Sequence, residues 1–319
     1  MKRRIPAIFL VISFIVILAT ACGDDISERQ PGDSARALFI TQSDASQKFS
    51  WEEFVRLQEE FSIEVEMVSG DNDTAAEIDG IERAISEEYD VIFINSSDIT
   101  AVIPALTRAK EAGIIVGLFS SGLPQGHTGE NVMNFFCGSD YFLSGMTAGE
   151  LVSSHFPYGA NAVGIGGPEN DAVHVQLHNG FSAGIASNIN MLATENNTGY
   201  LSVNESRQIM EEFLKEFGND INIVWCHRDE YANGAIEAVQ EANRNDIFII
   251  GVGGTGTGFR NVRDGLQALS IAQNYSSMAR RSLQNARTLL DGGSVPEVNI
   301  IPMEMITLDT IDNFITPDW

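Results

Sequence analysis

The chain has 319 residues, 44% of them hydrophobic, with 44 Asp and Glu against 19 Lys and Arg. The formal net charge of −25 at pH 7 predicts an acidic surface that repels nucleic acid and anionic lipid headgroups, which argues against DNA or RNA partners. The length is large for one core and suits two lobes.

The N-terminal segment has the plan of a signal peptide. A cationic start, "MKRR", precedes an uncharged apolar run that stops at Cys22. The small residues Ala19, Thr20 and Ala21 before Cys22 resemble a bacterial lipobox, so residues 1–22 are predicted to be a lipoprotein signal with Cys22 lipidated. An uncleaved membrane anchor is the alternative, since the run is nearly long enough to span a bilayer. Residues 23–35 are polar and turn-rich and are predicted to be a flexible tether.

An alternation of short apolar strands and amphipathic helices begins at residue 36. Strands are predicted at 37–41, 63–68, 89–95 and 114–119, with helices at 48–61, 73–87 and 99–113. This order predicts a parallel sheet covered by helices on both faces.

The same alternation restarts after a loop at residues 120–131. Helices are predicted at 140–156, 173–187, 205–217, 230–243 and 277–293, and strands at 162–167, 190–196, 221–226, 247–252, 267–273 and 298–308. Two similar α/β blocks indicate two lobes, the first formed by 36–121 plus 274–295 and the second by 122–273. Residues 296–319 are predicted to be a final crossover strand and tail. Ligands bind such sheets at the C-terminal ends of the strands, so the cleft between the lobes is the expected site.

A glycine loop at residues 249–258 contains Gly251, Gly253 and Gly256 in the spacing G-x-G-x-x-G of dinucleotide-binding enzymes. The loop follows the fourth predicted strand of the second block instead of a first strand. About 20 residues later the chain has Gln273 where ribose recognition would need an acid. We therefore expect a turn at the cleft, with no cofactor.

Two further cysteines, Cys137 and Cys226, could form one disulfide in an oxidising compartment. Both have apolar neighbours, which favours free buried thiols. The pair Cys226–His227 lacks further ligands at metal-binding spacing, so no metal site is expected.

Several stretches, taken in order, resemble a known family. They are "DNDTAAEIDGIERAI" (71–85), "YDVIFINSSD" (89–98), "GSDYFLSGMTAGELV" (138–152), "HRDEYANGAIEAV" (227–239), "IIGVGGTG" (249–256) and "ALSIAQ" (268–273). Their order and spacing over residues 36–312 are similar to the type I periplasmic binding proteins, in the ribose-binding-like sugar branch.

The resemblance implies two Rossmann-like lobes, joined by three hinge crossovers, that close around a small ligand. It also implies a non-enzymatic, monomeric protein that captures a sugar or related ligand for an ABC permease. A receptor that passes ligand occupancy to a histidine kinase or chemoreceptor is the alternative. The chain shows no G-x-S-x-G or H-E-x-x-H motif of an enzyme, and a cytoplasmic repressor would not carry a signal peptide.

Candidate ligand-binding residues stand at strand ends or where the family contacts its ligands. They are Asp44, Phe49, Trp51, Ser120, Ser121, Asn170, Asp171, Tyr200, Arg228, Gly253 and Gln273. Phe49 and Trp51 stand where the family has aromatic residues that sandwich a sugar ring, with core packing as the alternative for Trp51. Asp98 and Asp140 are predicted to be helix caps and not ligand contacts.

Some family contacts are altered in this chain. Gly253 stands where the sugar binders have an aspartate, and Ser120 and Ser121 stand where they have an Asp–Arg pair. Val175 occupies the position of a family arginine, and Arg228 that of an asparagine. Losing carboxylates removes strong hydrogen-bond acceptors, whereas Arg228 adds a planar donor suited to an acid.

Two interpretations of Arg228 therefore remain. It contacts an anionic ligand, or it faces solvent and pairs with Asp229, Asp44 or Glu169. Gln273 and Asp229 are retained from the family pattern, the latter at a helix start.

Overall fold

The computed structural model describes residues 30–42, 45–70, 73–120, 131–169, 172–197, 199–314 and 316–317. The predicted signal peptide and Cys22 lie outside this part of the chain, as do Asp44, Ser121, Asn170 and Asp171. Within the described ranges, no helix is both long and apolar enough to cross a membrane.

Strands and helices alternate along most of the chain. The strands are β1 (Ala35–Thr41), β2 (Ile63–Ser69), β3 (Val91–Ile94), β4 (Ile115–Ser120), β5 (Phe135–Gly138), β6 (Ala160–Pro168), β7 (Ile189–Asn197), β8 (Ile223–Cys226), β9 (Phe248–Gly253), β10 (Leu269–Ala272), β11 (Val298–Ile300) and β12 (Glu304–Thr307). The α-helices are α1 (Ala45–Phe61), α2 (Thr74–Ser86), α3 (Ile99–Glu111), α4 (Tyr141–His155), α5 (Ala172–Gly184), α6 (Val203–Phe217), α7 (Asp229–Glu241), α8 (Gly256–Arg263) and α9 (Tyr275–Leu290).

These strands form two separate six-stranded sheets. The first has the order β11-β5-β4-β3-β1-β2 and is parallel throughout. The second has the order β12-β10-β9-β8-β6-β7 and is parallel except for β12, which pairs antiparallel with β10. The predicted fold class, two α/β lobes with parallel sheets flanked by helices, is confirmed.

The chain passes between the lobes three times, after β5, after β10 and after β11. Each crossover is short, with two or three residues between the elements that it joins. Helix α9 returns to the first lobe, where it packs against α1.

Two strand assignments differ from the sequence prediction. Strand β5 was not predicted, and it extends the first sheet beyond residue 121. The prediction of a single strand at 298–308 is wrong, because this segment forms β11 and β12, which belong to different sheets. Pro302 lies between them and has no N–H to donate, which interrupts the hydrogen-bond ladder where the chain changes lobes.

Helix starts follow the expected capping chemistry. The side chains of Asp98 and Asp140 accept hydrogen bonds from the N–H groups of Ala101 and Leu143, which confirms both as helix caps. Such a cap contributes about 1 kcal/mol to helix stability.

Each lobe has its own apolar core. In the first lobe the ring of Phe54 in α1 packs against those of Phe39 in β1 and Phe93 in β3. In the second lobe Phe181 stacks on Trp225 with ring centroids 4.5 Å apart. Each ring contributes about 1.5–3 kcal/mol through its burial.

Cys137 and Cys226 are buried and free, as the sequence favoured. Cys137 belongs to the core of the first lobe and Cys226 to that of the second, so the two thiols cannot meet.

Candidate functional site

A cavity of about 650 Å³ lies between the lobes. Most of its wall comes from the second lobe, from the C-terminal ends of β6, β8 and β9 and the helices that follow them. The first lobe contributes Ser46 of α1 and Tyr275 of α9, and Gln273 comes from the second crossover. The cavity therefore lies at the place where parallel-sheet proteins bind ligands.

The glycine loop packs around a buried carboxylate. Asp229 is fully buried at the start of α7, and a Cβ on Gly251 or Gly258 would lie 2.4 or 2.3 Å from its carboxylate oxygens. Gly253 and Gly254 have φ values of 141° and 64°, in the region that side chains disfavour. Small residues are thus required here by packing and by backbone conformation.

The Asp229 carboxylate organises the part of this loop that lines the cavity. It accepts hydrogen bonds from the Gln267 amide (2.9 Å), from the Ser270 hydroxyl (2.8 Å) and from the backbone N–H of Thr255 (2.9 Å). Burial raises the pKa of Asp229, and the hydrogen bonds from Gln267 and Thr255 act in the opposite direction.

A similar buried carboxylate lies in the first lobe. Glu77 in α2 is fully buried and accepts hydrogen bonds from the Gln42 amide after β1 (2.7 Å) and from the N–H of Ser97 after β3 (2.9 Å). The Ser96 hydroxyl also donates to it. Each lobe therefore uses one internal acid to hold together the loops at the C-terminal edge of its sheet.

Arg228 and Tyr200 form one side of the cavity. The guanidinium carbon of Arg228 lies 5.1 Å from the centroid of the Tyr200 ring, and Nε of Arg228 donates to the Glu230 carboxylate at 3.2 Å. The ion pair is thus to Glu230, which was not among the partners predicted from the sequence. The Arg228 side chain remains 47% exposed, so its guanidinium can contact a ligand.

Three histidines meet beside the cavity, and His174 and His227 line it. The ring centroids lie 4.2 Å apart for His174 and His227, 6.0 Å for His178 and His227, and 6.2 Å for His174 and His178. Burial lowers the pKa of His178. The pKa of His227 lies well below its ordinary value because the ring is buried and because His174 and His178 are close.

The structure brings together four of the residues predicted for the site. Tyr200, Arg228, Gly253 and Gln273 line the same cavity. Ser120 is linked to them, because its hydroxyl donates to the Gln273 side-chain oxygen at 3.2 Å.

Phe49 and Trp51 lie elsewhere. Both are partly buried and pack against the core of the first lobe, and neither lines the cavity. The Trp51 indole nitrogen has no hydrogen-bond partner in the described parts of the chain. The structure does not describe the other predicted contacts, Asp44, Ser121, Asn170 and Asp171.

Sequence reasoning missed several residues that line the cavity. They are Ser46, Tyr141, His174, His227, Glu230, Tyr231, Thr255 and Tyr275. One signal was available, because His174 and His178 are four residues apart and so share one face of a helix. The approach of His227 depends on the pairing of β8 with β6, which no local pattern reveals.

Comparison with known proteins gives a consistent result. The family model described as periplasmic binding protein domain matches residues 38–294. The Escherichia coli (strain K12) ribose import binding protein RbsB is 22% identical over 307 residues, covering 96% of this chain and 98% of that protein. A xylitol-binding protein of Mycolicibacterium smegmatis is 22% identical over 251 residues, covering 79% of this chain and 70% of that protein.

Among solved structures, a sugar-binding protein of a sugar ABC transporter from Bacillus halodurans superposes with a TM-score of 0.79 at 20% identity. The match covers 88% of this chain and 100% of that one. The family is that of solute-binding proteins, which are not enzymes, and it implies an extracytoplasmic location. The chain therefore belongs to the type I periplasmic binding proteins, in the ribose-binding-like branch.

Proposed function

We propose that this protein is a lipid-anchored, extracytoplasmic solute-binding protein that captures a small neutral sugar or sugar derivative for an ABC importer. The observation that carries the proposal is the cavity of about 650 Å³ between the lobes, a volume within the range of small-molecule sites. The similarity to proteins named for ribose and xylitol binding supports the ligand class.

The chemistry of the cavity suits a polyhydroxyl ligand. The Gln273 amide offers a donor and an acceptor, and Tyr200 is 63% exposed. An aromatic face can cover the apolar side of a sugar ring while polar groups bond its hydroxyls.

Charge favours a neutral ligand over an acid. Glu230 is the one carboxylate among the described residues that line the cavity, and it already pairs with Arg228. The pair leaves the wall without net charge, so binding an anion at Arg228 would require competition with Glu230.

The proposed lipid anchor and the proposed permease partner are supported by observations other than the cavity. The sequence before Cys22 supports the anchor, and the family supports an ABC permease as the partner. The three crossovers would let the two lobes close over the ligand, which is the change that a permease would recognise.

A thermal-shift screen of the full chain tests the proposal. The panel contains D-ribose, D-allose, xylitol, myo-inositol, D-galacturonate, adenosine and L-glutamate. A ligand at about 100 times its dissociation constant should stabilise the protein by about 2.7 kcal/mol, which gives a clear rise in melting temperature. We expect at least one neutral sugar or polyol to raise it. A rise with D-galacturonate or L-glutamate alone would show that Arg228 selects an acid.

A further inference from the structure

The imidazoles of His174, His178 and His227 form an imidazole cluster that borders the cavity. His174 and His178 come from α5 and His227 follows β8, so two elements bring the rings together. His174 and His227 are 6% and 5% exposed. Three titratable rings in contact, two of them on the cavity wall, are not required for packing an apolar core.

The hydrogen bonds of His174 and His227, the closest pair of rings, indicate which ring nitrogens carry a hydrogen. The N–H of Gly167 donates to Nδ1 of His174 at 3.0 Å, so that nitrogen is an acceptor. Nδ1 of His227 lies 2.5 Å from it and must therefore carry the hydrogen. Both rings can satisfy this contact while neutral.

Two other nitrogens of the cluster are buried without a partner among the described residues. They are Nε2 of His227 and Nδ1 of His178. A proton added at either nitrogen would create a buried cation with no acceptor there, next to two other imidazoles.

Among the described residues that line the cavity, little compensates for such a charge. The same cavity is lined by Tyr141 of α4, Tyr231 of α7 and Tyr275 of α9, and a tyrosine is ordinarily neutral at pH 7. Glu230 already pairs with Arg228, and the Asp229 carboxylate is bonded to its own loop. Asp171 precedes α5 outside the described residues.

We propose that the imidazole cluster couples ligand binding to pH, so that the cleft holds a neutral ligand while the three rings are neutral and releases it when acidification charges them. The inference rests on the proposed function, since it concerns the same cavity. A ligand that fills the cleft removes water from the cluster, which disfavours the charged rings further. Binding therefore expels protons, and by linkage the affinity falls as the pH falls.

The first test is calorimetric titration of the full chain with D-ribose, D-allose and xylitol at pH 7.5 and pH 5.0. We expect the dissociation constant to rise at least about threefold at the lower pH, since one coupled proton changes it by up to about tenfold per pH unit. In His227→Gln and His178→Gln the rise should shrink. His155→Gln is the matched control, because His155 lies in the last turn of α4, outside the cluster, and it should behave like the wild type. An affinity that is flat or that increases on acidification overturns the inference.

A second readout needs no ligand. The His227 ring lies edge-on to Trp225 with centroids 5.3 Å apart, and a protonated imidazole quenches a neighbouring indole. Tryptophan emission should fall between pH 7.5 and pH 5.0 in the wild type and in His155→Gln, and less in His227→Gln.

If emission titrates in this way but no sugar binds at any pH, the proposed function fails while the cluster is shown to titrate. If sugars bind but emission and affinity are both flat, only the present inference fails. A rise in melting temperature with Zn²⁺ alone, lost in His174→Gln, would identify a metal site and also overturn it.

Discussion

The Asp229 carboxylate accepts hydrogen bonds from both the backbone N–H and the hydroxyl of Thr255, at 2.9 and 3.1 Å. This contact fixes the loop after β9 against the start of α7, and Thr255 itself lines the cavity. An internal acid thus positions one part of the ligand-binding wall.

Replacing this acid should weaken both the fold and the site. Asp229→Ala leaves the donors of Gln267, Ser270 and Thr255 without this acceptor, and we expect a loss of about 3 kcal/mol in the free energy of unfolding. The measurement is urea unfolding followed by circular dichroism. Asp98→Ala, which removes an ordinary helix cap, should cost about 1 kcal/mol. Equal losses for the two variants would contradict the role given to Asp229.

The glycines of the loop give a second prediction. A Cβ on Gly258 would lie 2.3 Å from a carboxylate oxygen of Asp229. Gly258 lies in α8, where alanine is the better helix former by about 1 kcal/mol, yet we expect Gly258→Ala to lower the melting temperature. Gly199→Ala is the control, because no atom of the described residues lies within 4 Å of the place that its Cβ would occupy. A Gly258→Ala protein that is more stable than the wild type would show that the loop accommodates the added methyl group, and it would contradict the prediction.

The imidazole cluster predicts a pH dependence of the ligand-free protein. The pKa values of His178 and His227 are lower in the folded state than the ordinary value of 6.5. The unfolded chain therefore binds more protons below that pH, so the contribution to stability is present above about pH 6.5 and is lost as the pH falls. Urea unfolding at pH 7.5 and 5.5 should show lower stability at pH 5.5, with a smaller difference in His227→Gln. A difference as large in His227→Gln as in the wild type would assign the effect to other groups.

The buried thiols should be inert in the folded protein. Burial raises the pKa of Cys137 to about 11 and that of Cys226 further still, so neither is a thiolate at neutral pH. Labelling with iodoacetamide, read by peptide mass spectrometry, should modify these two cysteines only after denaturant is added. Rapid labelling of Cys226 in native buffer would show that the second lobe opens.

The sequence predicted the fold well because its signals are local. The apolar runs at β1, β6 and β9 and the capping acids Asp98 and Asp140 each reveal an element within a few residues. Strand β5 was not predicted because it is a four-residue run after a long loop. Its place in the first sheet depends on pairing with β4 and β11. The crossing at Pro302 likewise depends on which sheet each half-strand joins.

The sequence predicted part of the candidate site, because the strand ends that carry some of its residues are visible in local patterns. Tyr200, Arg228 and Gln273 follow strands whose ends meet at one edge, so strand order alone places them together. Glu230, which pairs with Arg228 in the structure, lies in the first turn of α7 and was not among the partners predicted from the sequence. His174 and His227 are 53 residues apart, and only the pairing of β6 with β8 brings them within contact.

The most direct measurement is calorimetric titration of wild-type protein, Tyr200→Ala and Tyr158→Ala with the neutral sugar that gives the largest thermal shift. Tyr200 lines the cavity, whereas Tyr158 is fully exposed and does not line it. Loss of a stacked ring face should weaken binding by about tenfold in Tyr200→Ala and leave Tyr158→Ala unchanged. Equal affinities for all three proteins would place the ligand outside the cavity between the lobes and contradict the account.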